Sequence, residues 1–172
     1  MRLGVCGMIP SDFRSTTTLE LNTIRKLGLS GAAFHYPGDK MSDLTSDELA
    51  SVRKTFTEAD MDLVQFGIGY SECLFDPDQT VRQHVLEKIY SGIEVARRLD
   101  AMTCLIRTGS LNSTGSYAPS KSNHTQAARN CLVDTLNAVA QKADQEGVNI
   151  VVETHLLTIM GSPEINREII DQ

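Results

Sequence analysis

Glu153 and His155 carry the clearest chemical potential in the sequence. Glu153 directly follows the apolar run Ile150-Val151-Val152, and His155 stands two residues further on. A carboxylate projected from the end of a rigid strand can bind a divalent cation or take a proton from a carbon acid. A neighbouring histidine can add a second ligand or orient the first. A strand-end carboxylate held in an ion pair has the same spacing. His35 follows the apolar Ala32-Ala33-Phe34 and either turns toward the same region or caps the following loop. Arg107 follows Thr103-Cys104-Leu105-Ile106; it suits a clamp on a substrate oxygen or phosphate, or a pair with one of the 22 acidic side chains. Ser11, Asp12, the stretch from Gly69 to Glu72, and His124 are the other polar groups at such positions. His84 falls in mid-helix and is expected on the solvated surface.

The elements that must position these groups follow from hydrophobic period. Strand-length apolar runs at Leu3–Cys6, Ala32–Phe34, Leu63–Phe66, Thr103–Ile106 and Ile150–Val152 alternate with longer stretches of helical period. Thr17 with Glu20 and Thr45 with Glu48 form capping boxes ahead of the first two helices. Asp76-Pro77-Asp78-Gln79 reads as the start of the third, with Asp76 as N-cap. Asn123 or Thr125 caps the fourth, and Ser162-Pro163-Glu164 opens a final one. Gly28 and Gly147 end the first and fourth helices.

Five strand–helix units with short, continuous apolar strands point to a parallel sheet in an α/β fold. Two architectures fit: a five-stranded doubly wound sheet, and the first five units of a (β/α)8 barrel of the TIM type. Five units in 172 residues take about 34 each. Three more would approach the ~250 residues of a complete barrel. The expectation is one domain, residues 1–172, a partial (β/α) barrel. In either fold function collects at the C-terminal ends of the strands.

Composition removes several function classes. Sixteen Lys plus Arg against 22 Asp plus Glu give a net charge of −6, with no basic run to attract nucleic acid or anionic membrane. No apolar stretch approaches the roughly 20 residues of a membrane span, and the N-terminus lacks a secretory pattern. Cys6, Cys73, Cys104 and Cys131 include no C-x-x-C pair, so unpaired thiols and a cytoplasmic location are expected. No phosphate-binding G-x-x-x-x-G-K-[ST] and no G-x-S-x-G nucleophile elbow occurs.

The segments LGVCGMIP, LIRTGSLN, SYAPSKSNHT, EGVNIVVETH and HLLTIMGSPE resemble the xylose-isomerase-like barrel superfamily. That family contains sugar and sugar-phosphate isomerases and epimerases and related dehydratases. The resemblance implies a divalent metal (Mn²⁺, Mg²⁺, Co²⁺ or Zn²⁺) at the C-terminal rim, with Glu153 as one ligand and the remaining ligands beyond Gln172. It implies proton abstraction next to the carbonyl of a sugar or sugar phosphate, with Glu153 as an acid/base group. His35, Arg107 and His155 would bind substrate oxygens. The resemblance implies four ligands in all, so a chain with Glu153 alone is expected to be inactive. The alternatives are a non-enzymatic α/β module that binds a ligand or partner, and a protomer that self-associates across open sheet edges. The superfamily also includes an abasic-site endonuclease. The acidic charge and the absence of His after strands three and four, at Gly67 and Arg107, argue against that activity.

Overall fold

The computed structural model describes residues 3–172. Its five strands are β1 (Gly4–Cys6), β2 (Gly31–Pro37), β3 (Asp62–Gly69), β4 (Cys104–Arg107) and β5 (Ile150–Glu153). They form one sheet in the order β1-β2-β3-β4-β5, and each neighbouring pair is parallel. A doubly wound sheet reverses its strand order partway across. Here the order never reverses, so the doubly wound alternative falls. Sequential parallel strands, each followed by a helix, are the wall of a TIM-type barrel, with five of its eight units present.

The helices are α1 (Thr18–Lys26), α2 (Ser46–Glu58), α3 (Gln79–Leu99), α4 (Gln126–Glu146) and α5 (Pro163–Ile170). Their apolar stripes bury one face of the sheet. Leu49, Val52 and Phe56 of α2, and Val85, Ile89, Ile93, Ala96 and Leu99 of α3, are all buried. They share a core with Phe34, Phe66, Cys104 and Ile106 from the strands. Phe13 stacks on Phe34 with ring centroids 4.4 Å apart.

Both predicted capping boxes form, with Thr17 and Glu20, and Thr45 and Glu48, bonded reciprocally. Ser162 caps α5 with Pro163 in its first turn. The start of α3 differs from expectation. Asp78, not Asp76, is its N-cap and accepts from the Thr80 amide. The Asp76 carboxylate instead accepts from the Asp78 amide at 2.9 Å. That local turn places Pro77 ahead of the helix rather than in it.

Strands β2 and β3 run longer than their apolar cores suggest, through His35, Tyr36 and Pro37 and through Gly67, Ile68 and Gly69. Gly67 is in the sheet because a neighbour occupies the space of its side chain. A Cβ on Gly67 would lie 2.1 Å from His35 Cδ2. Among the described residues no helix is long and apolar enough to cross a membrane, and the four cysteines are free thiols.

Candidate active site

Alternation along β4 and β5 decides which side chains leave the core. Cys104 and Ile106 point to the helices and are buried. Leu105 and Arg107 therefore face the other side, which in a barrel is the interior. Register pairs Leu105 with Val151 and Arg107 with Glu153, so the same face continues onto β5. On β2, His35 pairs with Gly67 and lays its ring over it. The result is a cavity of about 230 Å³ lined by His35, Ile68, Leu105, Ile106, Arg107, Tyr117 and Glu153.

Three of the four residues predicted from sequence thus meet at one cavity: His35, Arg107 and Glu153. His155 stands behind it. Its ring centroid lies 5.0 Å from that of Tyr117, and it does not line the cavity. His124 is exposed just ahead of α4. The N-cap of α4 is Thr125. Asn123 is fully buried instead, accepting from the Leu111 amide at 3.0 Å and donating to Ser110 Oγ at 3.0 Å. These bonds tie the two ends of the β4–α4 loop together.

That loop supplies a residue the sequence reading missed. Tyr117 donates its hydroxyl to Glu153 Oε2 at 2.6 Å. Partial burial and then the Glu153 charge raise the Tyr117 pKa above its ordinary value, so the phenol keeps its proton and remains a donor. Only the aromatic ring among Ser, Asn and Pro marked this position in the sequence. Tyr70 lies in the Gly69–Glu72 stretch, but its part in holding Arg107 was not legible there. Its hydroxyl donates to the Arg107 carbonyl at 2.7 Å and accepts from the Arg107 amide at 2.9 Å. Its ring lies under the Arg107 guanidinium, with Cζ 5.0 Å from the centroid. Burial raises the Tyr70 pKa, so this hydroxyl also stays protonated.

A second polar cluster braces the rim. Lys88 of α3 is buried and binds Glu72 and, at 2.8 Å, Asp39. His84, exposed as expected, approaches Glu72 at 3.4 Å. Burial disfavours the Lys88 charge, yet the two carboxylates together hold its pKa above the ordinary value. Glu72 is likewise partly buried, and Lys88 holds its pKa below the usual range.

The donor set does not make a metal centre by itself. Among the described residues, no group of three or more His, Cys, Asp or Glu converges in a way that could hold a metal ion. Glu153 contributes one carboxylate, one of whose oxygens already accepts from Tyr117. Hard divalent cations take about six oxygen ligands.

Comparison with known proteins places this geometry. A family model described as the xylose isomerase-like TIM barrel matches residues 21–172. No curated protein matches the sequence. Among solved structures, L-ribulose 3-epimerase superposes with a TM-score of 0.75 at 19% identity, covering 99% of this chain and 56% of its own. D-psicose 3-epimerase from Clostridium cellulolyticum H10, solved with D-tagatose, gives 0.75 at 14% identity, covering 99% and 59%. The 3-keto-D-glucoside 4-epimerase of E. coli gives 0.72 at 14% identity, covering 99% and 62%. The chain therefore spans less than two thirds of the length of these structures. At such identities the likeness is one of fold, and the family match adds the lineage: the chain belongs to the xylose isomerase-like TIM barrel family.

Proposed function

We propose that residues 1–172 form one domain contributing the first five units of a barrel that isomerises or epimerises a sugar or sugar phosphate. Residues 1 and 2 lie outside the described residues. The observation that carries the reading is Glu153 at the end of β5, aimed into a cavity with Arg107 and His35 and fixed by the Tyr117 hydroxyl. A carboxylate held this way is suited to take the proton from the carbon next to a carbonyl. The C–H electron pair then becomes the C=C bond of an enediolate as the carbonyl π pair moves onto its oxygen, and a second acidic group returns a proton to the neighbouring carbon or the opposite face.

Arg107, beside Glu153 on the neighbouring strand, and His35 orient substrate oxygens in the cavity. His155 acts at one remove, packed against Tyr117. In the complete barrel Glu153 is also one ligand of a divalent cation. When bound, such a cation polarises the carbonyl. Its other ligands come from outside these residues, so the 172-residue chain alone is inactive. The surroundings proposed for this chemistry are cytoplasmic.

The test is product formation from a panel of ketoses and ketose phosphates, with Mn²⁺ added or removed by chelation. A complete barrel carrying these residues is expected to form the epimer or isomer only with metal. The isolated 172 residues are expected to form none. Turnover unaffected by chelation, or no turnover by a complete barrel on any member of the panel, would overturn the reading.

A further inference from the structure

We propose that Arg107 and His35 form an oxyanion-binding subsite in the rim cavity, and that the substrate is a carbohydrate carrying a carboxylate or phosphate. This deepens the reading given above and depends on it for the role of substrate. Arg107 has no carboxylate partner in any ion pair found among the described residues. Its nearest candidate along the sheet is its register partner Glu153. Glu153 is engaged by the Tyr117 hydroxyl instead. A half-buried guanidinium is thus left facing the cavity without an anion.

Its hydrogen bonding is incomplete as well. The Arg107 Nε–H is covered and has no acceptor. A buried donor left unmade is costly, and native structures rarely retain one without a use. The side chain is nonetheless held in place. The Tyr70 ring supports it from below, and the Tyr70 hydroxyl bonds both the amide and the carbonyl of Arg107. A guanidinium that is positioned and has no carboxylate partner is suited to a planar carboxylate or a phosphate, which it grips through parallel N–H bonds.

The remaining walls fit the same ligand. His35, on β2, lines the cavity and adds a polar group, while Leu105 supplies apolar surface. The space of about 230 Å³ matches roughly eight waters at about 30 Å³ each. One sugar-sized molecule fills such a volume.

The test is binding to the 172-residue chain without metal, followed through the Arg107 Nε–H resonance in ¹⁵N NMR. The probes are D-glucuronate, D-ribose 5-phosphate, inorganic phosphate and neutral D-tagatose. At least one anionic sugar should bind roughly tenfold or more tighter than D-tagatose and shift the Arg107 signal. The glucuronate and ribose 5-phosphate arms separate a carboxylate from a phosphate. Arg107→Met should abolish the preference for anions. Arg107→Lys keeps the charge without the fork and should retain part of it, which serves if the Met variant fails to fold. Equal binding of D-tagatose, undiminished anion binding by Arg107→Met, or inorganic phosphate binding as tightly as both anionic sugars would overturn the proposal. No turnover is measured, so failure of proton transfer at Glu153 and failure of this subsite give separate results.

Discussion

Tyr117 and Glu153 show how much of the site depends on one hydrogen bond. The phenol fixes one carboxylate oxygen of a side chain that lines the cavity. Replacing Tyr117 by Phe keeps the ring against His155 but removes the donor. In a complete barrel this is expected to lower the rate of proton transfer roughly tenfold to a hundredfold, since misplacing a catalytic group by about 1 Å costs that order. Single-turnover kinetics would check it, and an unchanged rate would remove Tyr117 from the account. This pair was not legible in the sequence because its members are 36 residues apart and one lies in a polar loop. Glu153 itself was legible, since it closes an apolar strand. At the same scale, the Lys88 cluster predicts a pH dependence. The Glu72 and Asp39 pKa values are lowered in the folded state. Their contribution to stability is therefore complete above the unfolded values, near pH 4, and is lost as pH falls through the lower folded values. Urea denaturation of Glu72→Gln should show a flatter loss of stability below about pH 4.5 than the parent chain. Parallel curves would contradict the assignment.

The elements were legible wherever a local pattern decided them. The capping boxes at Thr17 and Thr45 and the apolar stripes of α2 and α3 needed no tertiary information. Where strands ended was less visible, because Gly67 lies beyond the apolar run yet serves a close approach across the sheet. Gly67→Ala forces a Cβ to within 2.1 Å of the His35 ring. The ring must move or β2 and β3 must separate, and the expected cost is about 1–3 kcal/mol. Urea midpoints measure that, and Gly67→Ala combined with His35→Ala should recover part of the loss. The fourth helix offers a simpler check. Thr125 caps it by accepting from the Ala128 amide at 3.2 Å, so Thr125→Ala should cost about 1 kcal/mol. An effect near zero would mean that the buried Asn123 anchors the turn by itself.

For the whole molecule, the strand count was visible from the alternation of patterns, but the strand order was not. Period alone cannot distinguish a sheet that reverses direction from one that curves onward, because both bury helices against parallel strands. The observed order leaves β1 and β5 with a sheet neighbour on one side only, and Val151 on β5 is 39% exposed. Open strand edges with apolar residues favour pairing with other chains. The 172-residue chain alone is expected to associate at micromolar concentration. Light scattering would detect this, and a monodisperse monomer would contradict it. The central claim concerns proton transfer at Glu153, and solvent exchange tests it most directly. A complete barrel containing these residues would be incubated with ketose and ketose-phosphate substrates in D₂O with Mn²⁺, and deuterium at the carbon beside the carbonyl followed by NMR. The account predicts incorporation that falls by roughly 10²- to 10⁴-fold in Glu153→Gln. Equal incorporation in the variant would contradict it.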